Sequence, residues 1–452
     1  MTTNDALHAV SVHRNELLLF HVLLQLALIV LAGRLGGALA QRCGQSPAVG
    51  EILIGLLLGP SLFGWLLPDA FHFVFRSTPA EPMQILSQIG LLLLMFQIGL
   101  GFDFGHLGEP RHRRLVVRLA LAGLLTPFVL GAALGYAAAG TLSPGVAPLA
   151  SALFVATAFS ITALPILGRI MIEFGLERTP LGVIAISVAA INDVIGWLLL
   201  ALVTTLTLAQ FDAAGFALRS LLVLGFVLLC LYGLRPLARR LVRRLGSADG
   251  GLSPNLLGAL LALIFAAGIC TQQLGIFAIF GGFMAGVMLH EERALANSWQ
   301  QRIEPFVQVF FLPVFFTYTG LRTQIGSLDG LAGWGWCGLV LVLATLGKFG
   351  GTYVTARLSG LNHPVSSLLG AMMNTRALME LIVLNVGYDL GVISPALFTM
   401  LVIMALASTV ITTPALRHWL PGSGVLAGTP PLSRPGAAVV PAGAAVAAES
   451  RS

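Results

Sequence analysis

Charged side chains are scarce in this sequence. Of its 452 residues only 10% are Asp, Glu, Lys or Arg, whereas 57% are hydrophobic, and soluble domains carry about 25% charged residues. Because so few charges cannot cover a globular surface exposed to water, the composition excludes a soluble protein. It predicts a polytopic membrane protein, in agreement with the mean hydropathy of +0.91.

Cysteine is also rare, and its spacing excludes two kinds of stabilising site. The four cysteines are scattered along the chain, mostly inside apolar runs. They show neither the close pairs of a zinc site nor the pattern of a disulfide framework. We interpret them as small apolar core residues. They are Cys43, Cys230, Cys270 and Cys337.

Lysine is almost absent. Among 25 basic residues, 24 are arginine and one is lysine, Lys348, inside LVLATLGKFGGTYV. Lysine can lose its proton when it is desolvated, whereas arginine effectively cannot. Snorkelling to an interface is the alternative explanation, but Lys348 lies mid-span, too deep to reach either interface easily. This predicts a role for Lys348 in ion transport.

Windows of about 20 apolar residues predict an all-α polytopic membrane protein with about 13 transmembrane helices. The predicted spans cover residues 16–36, 46–66, 83–103, 113–138, 147–170, 181–207, 216–234, 255–272, 274–290, 304–321, 332–356, 365–388 and 395–416.

The distribution of arginine predicts the orientation. With the N-terminus outside, the cytoplasmic connections hold 17 arginines and the opposite side holds four. The positive-inside rule therefore places the N-terminus outside and the C-terminus in the cytoplasm, and we expect a bacterial inner membrane. The same rule accounts for the net charge of +6, so that no nucleic-acid partner is expected.

An internal repeat is the most informative long-range feature. The run LLLLMFQIGLGFDFGHL (91–107) returns in outline as FFLPVFFTYTGLRTQIGSL (310–328). A Gly-rich span precedes each run, and an apolar span and then a polar-interrupted span follow it. The offset contains an odd number of spans, so the two halves have opposite orientation, as in the inverted repeats of secondary transporters. We place the repeats at 46–207 and 274–416.

The chain is predicted to consist of three parts, and a linker joins the two repeats. We predict an N-terminal tail over residues 1–15, a transmembrane transport domain over 16–420, and a Pro/Gly/Ala-rich, disordered cytoplasmic tail over 421–452. The Arg-rich stretch 235–255 joins the repeats, and we interpret it as a solvated basic linker loop beside anionic lipid head groups. No appended regulatory domain is expected.

Two spans at matching repeat positions are predicted to be broken helices that cross. Half-helices that meet at mid-membrane present dipole ends and free carbonyls, which can bind or balance ions. A proline kink with ordinary Ser/Thr packing is the alternative. The interrupting residues are Thr157, Ser160, Thr162 and Pro165 in the first span, and Asn374, Thr375, Arg376 and Glu380 in the second.

Asp193, within AINDVIGW (190–197), is the candidate ion-binding residue. A charge at membrane depth costs between ~2.5 and more than 10 kcal/mol, so this carboxylate must line a cavity, pair with a cation or be protonated. A lone carboxylate can hold a proton or an alkali cation, but not both well. Neutral oxygens of Asn192, Thr157 and Ser160 would complete a hard-cation site for Na⁺ or K⁺. A structural buried carboxylate is the alternative.

Four further charged residues receive predictions. Lys348 would pair with Asp193 when the site is empty, and a bound cation would displace it. Arg376 and Glu380, four residues apart on one helix face, are expected to neutralise each other and the opposed helix ends. Glu51, near the start of the second span, lines the cavity or lies at the interface.

At these residues the sequence resembles the second monovalent cation:proton antiporter family, which includes bacterial sodium/proton and Kef-type potassium/proton exchangers. The resemblance covers about residues 46–416. Four stretches carry it: SPAVGEILIGLLLGPSLFG, FQIGLGFD, ATAFSITALPILGRI followed by AINDVIGW, and NTRALMELIVLNVGYDLGVISPALFTMLVIMALASTVITTP.

The resemblance implies a homodimer whose protomers have a dimerisation domain and a mobile six-helix core. It implies that Asp193 binds both the cation and the proton, that Lys348 lies close to it, and that Thr157 falls in the crossover region where the ion is coordinated. Electrogenic members carry two adjacent acids where this chain has Asn192-Asp193, which suggests one proton per cation. Kef-type systems usually append a cytoplasmic nucleotide-binding domain, which we do not expect here.

The sequence therefore predicts a secondary active antiporter, not an enzyme, that exchanges Na⁺ or K⁺ for H⁺ by alternating access and needs no cofactor. Membrane lipids and a second copy of the chain are the expected partners. Two alternatives stay open: a cation channel or efflux pore, and a proton-coupled transporter of another solute. The inverted repeat favours alternating access, and no filter-like run is visible.

Overall fold

The structure is a computed structural model, and it describes residues 3–101, 113–176, 179–208, 213–246, 251–274, 277–328, 330–376 and 378–425. All regular elements in these ranges are helices. The first half of the chain contains α1 (Thr3–Arg42), α2 (Pro47–Leu57), α3 (Phe63–Leu66), α4 (Pro68–Phe71), α5 (Glu81–Leu100), α6 (Arg113–Ala137), α7 (Ala139–Leu142), α8 (Pro148–Ser160), α9 (Leu164–Glu173), α10 (Pro180–Leu208), α11 (Ala213–Leu228) and α12 (Arg235–Leu245).

The second half repeats this order of long, short and broken helices. It contains α13 (Pro254–Gln273), α14 (Ala278–Met288), α15 (Arg293–Arg302), α16 (Glu304–Phe306), α17 (Leu312–Arg322), α18 (Gly330–Thr345), α19 (Gly351–Leu358), α20 (His363–Met373), α21 (Leu378–Asp389) and α22 (Pro395–Trp419). Turns of π-helix connect several neighbours, among them Leu229–Leu234 between α11 and α12 and Leu346–Gly350 between α18 and α19.

Both predicted broken helices are present. The first span divides into α8 and α9 at residues 161–163, and the second into α20 and α21 at residues 374–377. Pro165 is the second residue of α9, directly after the first of these breaks, where its missing N–H costs nothing because the first N–H groups of a helix have no intrahelical partner. The side chain of Pro165 lies outside the described residues.

Nine helices in the described ranges are long and apolar enough to cross a membrane, or ten if the bent pair Arg293–Arg302 and Glu304–Ser327 forms one span. Three shorter apolar helices, α2, α8 and α14, coincide with the remaining predicted spans. A half-helix is too short to cross a membrane by itself, even where it forms part of a crossing. The count of 13 spans therefore stays a prediction.

Two boundary predictions differ from the structure. α1 extends back to Thr3, so most of the predicted tail 1–15 is helical, although the apolar part of α1 begins only at Asn15. The predicted linker loop 235–255 contains a helix, α12, because its arginines lie on one side and its apolar residues on the other. The predicted tail 421–452 lies outside the described residues beyond residue 425.

The helices pack in two groups. α1, α2, α5, α13, α14 and α17 contact one another, and we call this group the scaffold. The second group, which we call the core, contains α6, α8, α9, α10, α18, α19, α20, α21 and α22. If each broken or π-joined pair is taken as one span, the core has the six spans that the resemblance implies.

Candidate ion-binding site

Asp193 lies near the middle of α10 and is 3% exposed. Among the described residues, neither of its carboxylate oxygens has a hydrogen-bond partner. The backbone N–H of Leu164, the first residue of α9, lies near this carboxylate without reaching ordinary hydrogen-bond geometry. The positive end of the α9 dipole is therefore close to Asp193, and both oxygens stay free to bind a proton or a cation.

Asn192 is fully buried beside Asp193. Its amide faces α6 and α19: a Cβ placed on Gly123 would lie 3.3 Å from Asn192 Nδ2 and 3.3 Å from Thr352 Oγ1. Within the described part of the chain, neither polar atom of the Asn192 side chain makes a hydrogen bond. An unsatisfied buried amide costs free energy, and the oxygen of this amide is able to accept a ligand.

The C-terminal end of α8 supplies two further oxygens. The Thr157 hydroxyl donates to the carbonyl of Leu153 at 2.8 Å. The Ser160 hydroxyl donates to the carbonyl of Ala156 at 2.8 Å, with the Leu124 carbonyl at 3.1 Å. A hydroxyl that donates its proton keeps its lone pairs for a cation. The predicted roles of Thr157 and Ser160 are therefore compatible with their geometry.

Lys348 contacts α8 instead of Asp193. It is fully buried in the π-helical turn Leu346–Gly350, and its ammonium donates to the carbonyl of Ser160. It acts on Asp193 electrostatically, but the described residues contain no ion pair between them within 4.0 Å. The last four carbonyls of a helix lack intrahelical partners, so Lys348 satisfies one of those at the end of α8.

Arg376 satisfies a second carbonyl at the same helix end. Its guanidinium donates to the carbonyls of Ala158 and Ala344, each at 3.1 Å, and pairs with Glu380 at 3.4 Å. Arg376 and Glu380 are both fully buried, and Glu380 lies in the first turn of α21. Each charge thus faces the helix end of opposite sign, as we predicted.

The two breaks cross through a backbone hydrogen bond. The N–H of Ala163 donates to the carbonyl of Thr375 at 3.1 Å, and the Thr375 hydroxyl lies 3.3 Å from that of Thr412. Thr162 and Asn374 are buried at the crossing, and in the described ranges Thr162 Oγ1 and Asn374 Oδ1 have no partner. The crossing therefore leaves two oxygens available to an ion.

Glu51 lies where α1 meets α2. It is 5% exposed, and its carboxylate is 3.5 Å from Arg34 Nη1. A Cβ on Gly37 of α1 would be 3.3 Å from the same carboxylate. This contact belongs to the scaffold, whereas Asp193 belongs to the core.

A cavity that the sequence did not reveal lies between the scaffold and α21. It has a volume of about 250 Å³. Its scaffold wall includes Gln88, Gln272 and Tyr318, and its core wall includes Ile382 and Asn385. Since a helix rises about 1.5 Å per residue, Ile382 lies only about 3 Å along α21 from Glu380. The cavity therefore approaches the crossing of the broken helices.

Arg322 connects the two walls of this cavity. Its guanidinium pairs with the Asp389 carboxylate at 2.7 Å, approaches Asn385 Oδ1 at 3.3 Å and donates to the Tyr318 hydroxyl. Arg322 is one of only four arginines that the topology predicted from the sequence places on the outer side. The rarity of arginine on that side marked Arg322 as unusual. Its partner Asp389 is 67 positions away and could not be identified from the spacing of residues along the sequence.

Trp197 links the candidate site to the scaffold. It lies one helical turn after Asp193, on the same face of α10, and its ring stacks with that of Phe283 in α14 with 6.5 Å between centroids. The face of α10 that carries Asp193 is therefore close to the boundary between core and scaffold.

Known proteins are similar to this chain in sequence and in fold. The family profile described as "Sodium/hydrogen exchanger, transmembrane" matches residues 26–421. The chain belongs to this family. Members of the family are transporters embedded in a membrane, and the chain is accordingly a multi-pass membrane protein.

Two relatives and one solved structure illustrate the similarity. The Na⁺/H⁺ antiporter NhaS4 of Synechocystis sp. is 37% identical over 88% of this chain and 97% of its own length. Cation/H⁺ antiporter 17 of Arabidopsis thaliana is 34% identical over 89% of this chain, which spans only 49% of that protein. The sodium proton antiporter MjNhaP1 of Methanocaldococcus jannaschii, solved at pH 8, has a TM-score of 0.61 at 16% identity and covers 89% of this chain and 97% of its own. The antiporter fold is therefore shared.

Proposed function

We propose that this protein is a secondary active antiporter that exchanges Na⁺ or K⁺ for H⁺, with Asp193 as the residue that binds either ion. The free carboxylate of Asp193, buried in the core beside the crossing of two broken helices, carries this proposal. Antiport requires that one ion exclude the other, and a single carboxylate achieves this because its oxygens hold one positive charge at a time.

The cation would be held by oxygens only, as hard cations prefer. Asp193 supplies the charge, and Asn192, Thr157 and Ser160 supply neutral oxygens. Thr162 and Asn374, whose oxygens are free of partners in the described structure, lie where the crossing could add further ligands. The relatives named as Na⁺/H⁺ and cation/H⁺ antiporters support this substrate class.

Lys348 would act as a competitor within the site. Its ammonium donates to the carbonyl of Ser160, the residue whose hydroxyl we assign to the cation. When the cation leaves, the ammonium can move toward Asp193 and balance its charge. The π-helical turn that carries Lys348 is the kind of local irregularity that is frequent at functional sites.

Transport would follow from movement of the core relative to the scaffold. The 250 Å³ cavity between the scaffold and α21 would provide access on the outer side, and the Arg322–Asp389 pair would hold the two groups in this state. The arginine distribution supports an N-terminus outside and a C-terminus in the cytoplasm of a bacterial inner membrane. We also propose a homodimer that assembles through the scaffold, and no enzymatic activity.

Dequenching of a pH-sensitive dye in everted vesicles tests this function. Na⁺, K⁺ and Li⁺ are titrated into vesicles with the wild type, with Asp193→Asn and with Asp69→Asn, which removes an exposed carboxylate on α4. The wild type and Asp69→Asn should dequench the dye to the same extent, and Asp193→Asn should show no response. Equal responses from Asp193→Asn and the wild type would contradict the assignment of Asp193. Lack of response by the wild type to all three ions would contradict cation/proton exchange.

A further inference from the structure

The helix that joins the two halves of the chain carries a concentrated basic face. Arg235, Pro236, Arg239, Arg240 and Arg243 are spaced so that they share one side of α12. They line a cleft with a volume of about 380 Å³. The cleft is therefore a concave surface lined by four arginines and one proline.

The opposite face fixes α12 to the protein. Ala238 and Val242 are buried in the apolar core. Arg235 and Arg239 form ion pairs with Glu291, and Arg239 Nε lies 3.6 Å from the Glu292 carboxylate. These ion pairs fix the positions of Arg235 and Arg239, and both residues line the cleft.

The remaining arginines carry an uncompensated charge. Arg240, Arg243 and Arg244 are exposed, and the described part of the chain offers them no ion pair. Two glutamates thus face five arginines around α12. A cleft with this excess of positive charge favours an anionic ligand, and guanidinium groups bind phosphate oxygens in bidentate geometry.

The surface next to the cleft is apolar and faces outward. Leu229 is 54% exposed, Tyr232 78% and Leu237 61%. These residues belong to the candidate membrane span Leu221–Leu245, so the side that they occupy contacts lipid acyl chains. Tyrosine is common at the level of lipid head groups, which places the neighbouring cleft at that level too.

We propose that the α12 cleft is a binding site for an anionic phospholipid. Arg240 and Arg243 contact the head-group phosphate, and the acyl chains lie along Leu229 and Leu237. A soluble phosphate would contact only the arginines of this surface, and an acidic peptide would not need its apolar side chains. In the orientation proposed above, the lipid belongs to the cytoplasmic leaflet, where anionic head groups attract basic segments.

Native mass spectrometry of the full-length protein in detergent tests this proposal. Phosphatidylglycerol or phosphatidylethanolamine is added to the wild type, to Arg240→Gln/Arg243→Gln and to Arg113→Gln/Arg114→Gln, which removes two exposed arginines from the start of α6. The wild type and the α6 variant should retain phosphatidylglycerol in preference to phosphatidylethanolamine. The α12 variant should bind phosphatidylglycerol at least about tenfold more weakly, since two charge-assisted contacts are lost.

Two further measurements make the result decisive. The single variants Arg240→Gln and Arg243→Gln, made in case the double variant does not fold, should each lose part of the affinity. Inorganic phosphate added to the wild type should not displace the lipid. The proposal is wrong if the α12 variants match the α6 variant, if the two lipids bind equally, or if inorganic phosphate competes for the cleft.

Discussion

At the scale of single residues, the candidate site is organised by unsatisfied polar groups. A buried carboxylate and a buried amide without hydrogen bonds are costly in a membrane protein, and Asp193 and Asn192 are adjacent examples. By contrast, Lys348 and Arg376 each donate to a carbonyl at the end of α8. The cationic side chains are thus occupied with helix carbonyls, while the anion is left free for a transported ion.

Lys348 is expected to stabilise α8 as well as to compete with the cation. Lys348→Gln keeps a donor for the Ser160 carbonyl, whereas Lys348→Met leaves that carbonyl unsatisfied, at a cost of about 1–3 kcal/mol. We therefore expect the melting temperature to fall more in the Met variant, and antiport to be retained better in the Gln variant. Thermal unfolding in detergent and dye dequenching in vesicles measure the two effects. An equal loss of antiport with unchanged melting temperatures would instead assign Lys348 a purely electrostatic role.

Gly123 should matter because of its distance from Asn192. A methyl group at Gly123 would lie 3.3 Å from both Asn192 Nδ2 and Thr352 Oγ1, so Gly123→Ala must displace the amide by a few tenths of an ångström. We expect a several-fold increase in the cation concentration needed for half-maximal dequenching, with little change in stability. Gly258→Ala on α13, where a methyl group meets no atom within 4 Å, is the control. If both variants have the wild-type half-maximal concentration, the position of Asn192 is not critical.

At the scale of elements, the breaks depend on a buried ion pair. Arg376, in the break before α21, donates to carbonyls near the ends of α8 and α18, and Glu380 in the first turn of α21 is its ion-pair partner. Removing one member of a buried pair leaves an uncompensated charge and costs about 3–5 kcal/mol. We expect Glu380→Gln to lower the melting temperature strongly, whereas Glu81→Gln, at an exposed position on α5, should not. A Glu380→Gln protein as stable as the wild type would show that Arg376 does not need this carboxylate.

The sequence was sufficient to predict these elements, because their signals are local. Polar residues and a proline inside two apolar spans predicted both breaks, and the i, i+4 spacing predicted the Arg376–Glu380 pair. Contacts between distant elements were out of reach. The donation from Lys348 to Ser160 and the pair of Arg322 with Asp389 depend on how helices pack, and the spacing of residues along the chain does not encode that packing. For the same reason, the cavity beside α21 appeared only in the structure.

At the scale of the whole molecule, the two packed groups of helices meet at few polar contacts among the described residues. On one side Arg322, Tyr318 and Asn385 join the scaffold to α21. On the other, the Gln45 amide of the scaffold lies 3.3 Å from the Val410 carbonyl of the core. Such a boundary can separate and form again without loss of the apolar packing inside either group. We therefore propose that the core, which carries Asp193, moves as one body.

A cross-link between the two groups should stop transport if the core moves in this way. Tyr318 and Asn385 line the same cavity from opposite groups, so Tyr318→Cys/Asn385→Cys, in a chain without its four native cysteines, can be joined through two disulfide bonds by a short bifunctional methanethiosulfonate. Antiport should be lost on cross-linking and return on reduction. In the control Ser61→Cys/Thr323→Cys, both residues lie on the scaffold side, where the Ser61 hydroxyl donates to the Thr323 carbonyl at 2.7 Å, so the same treatment should leave antiport intact. Full antiport with the Tyr318–Asn385 positions joined would mean that ions cross without movement of the core against the scaffold, because the bridge fixes the distance that such a movement must change.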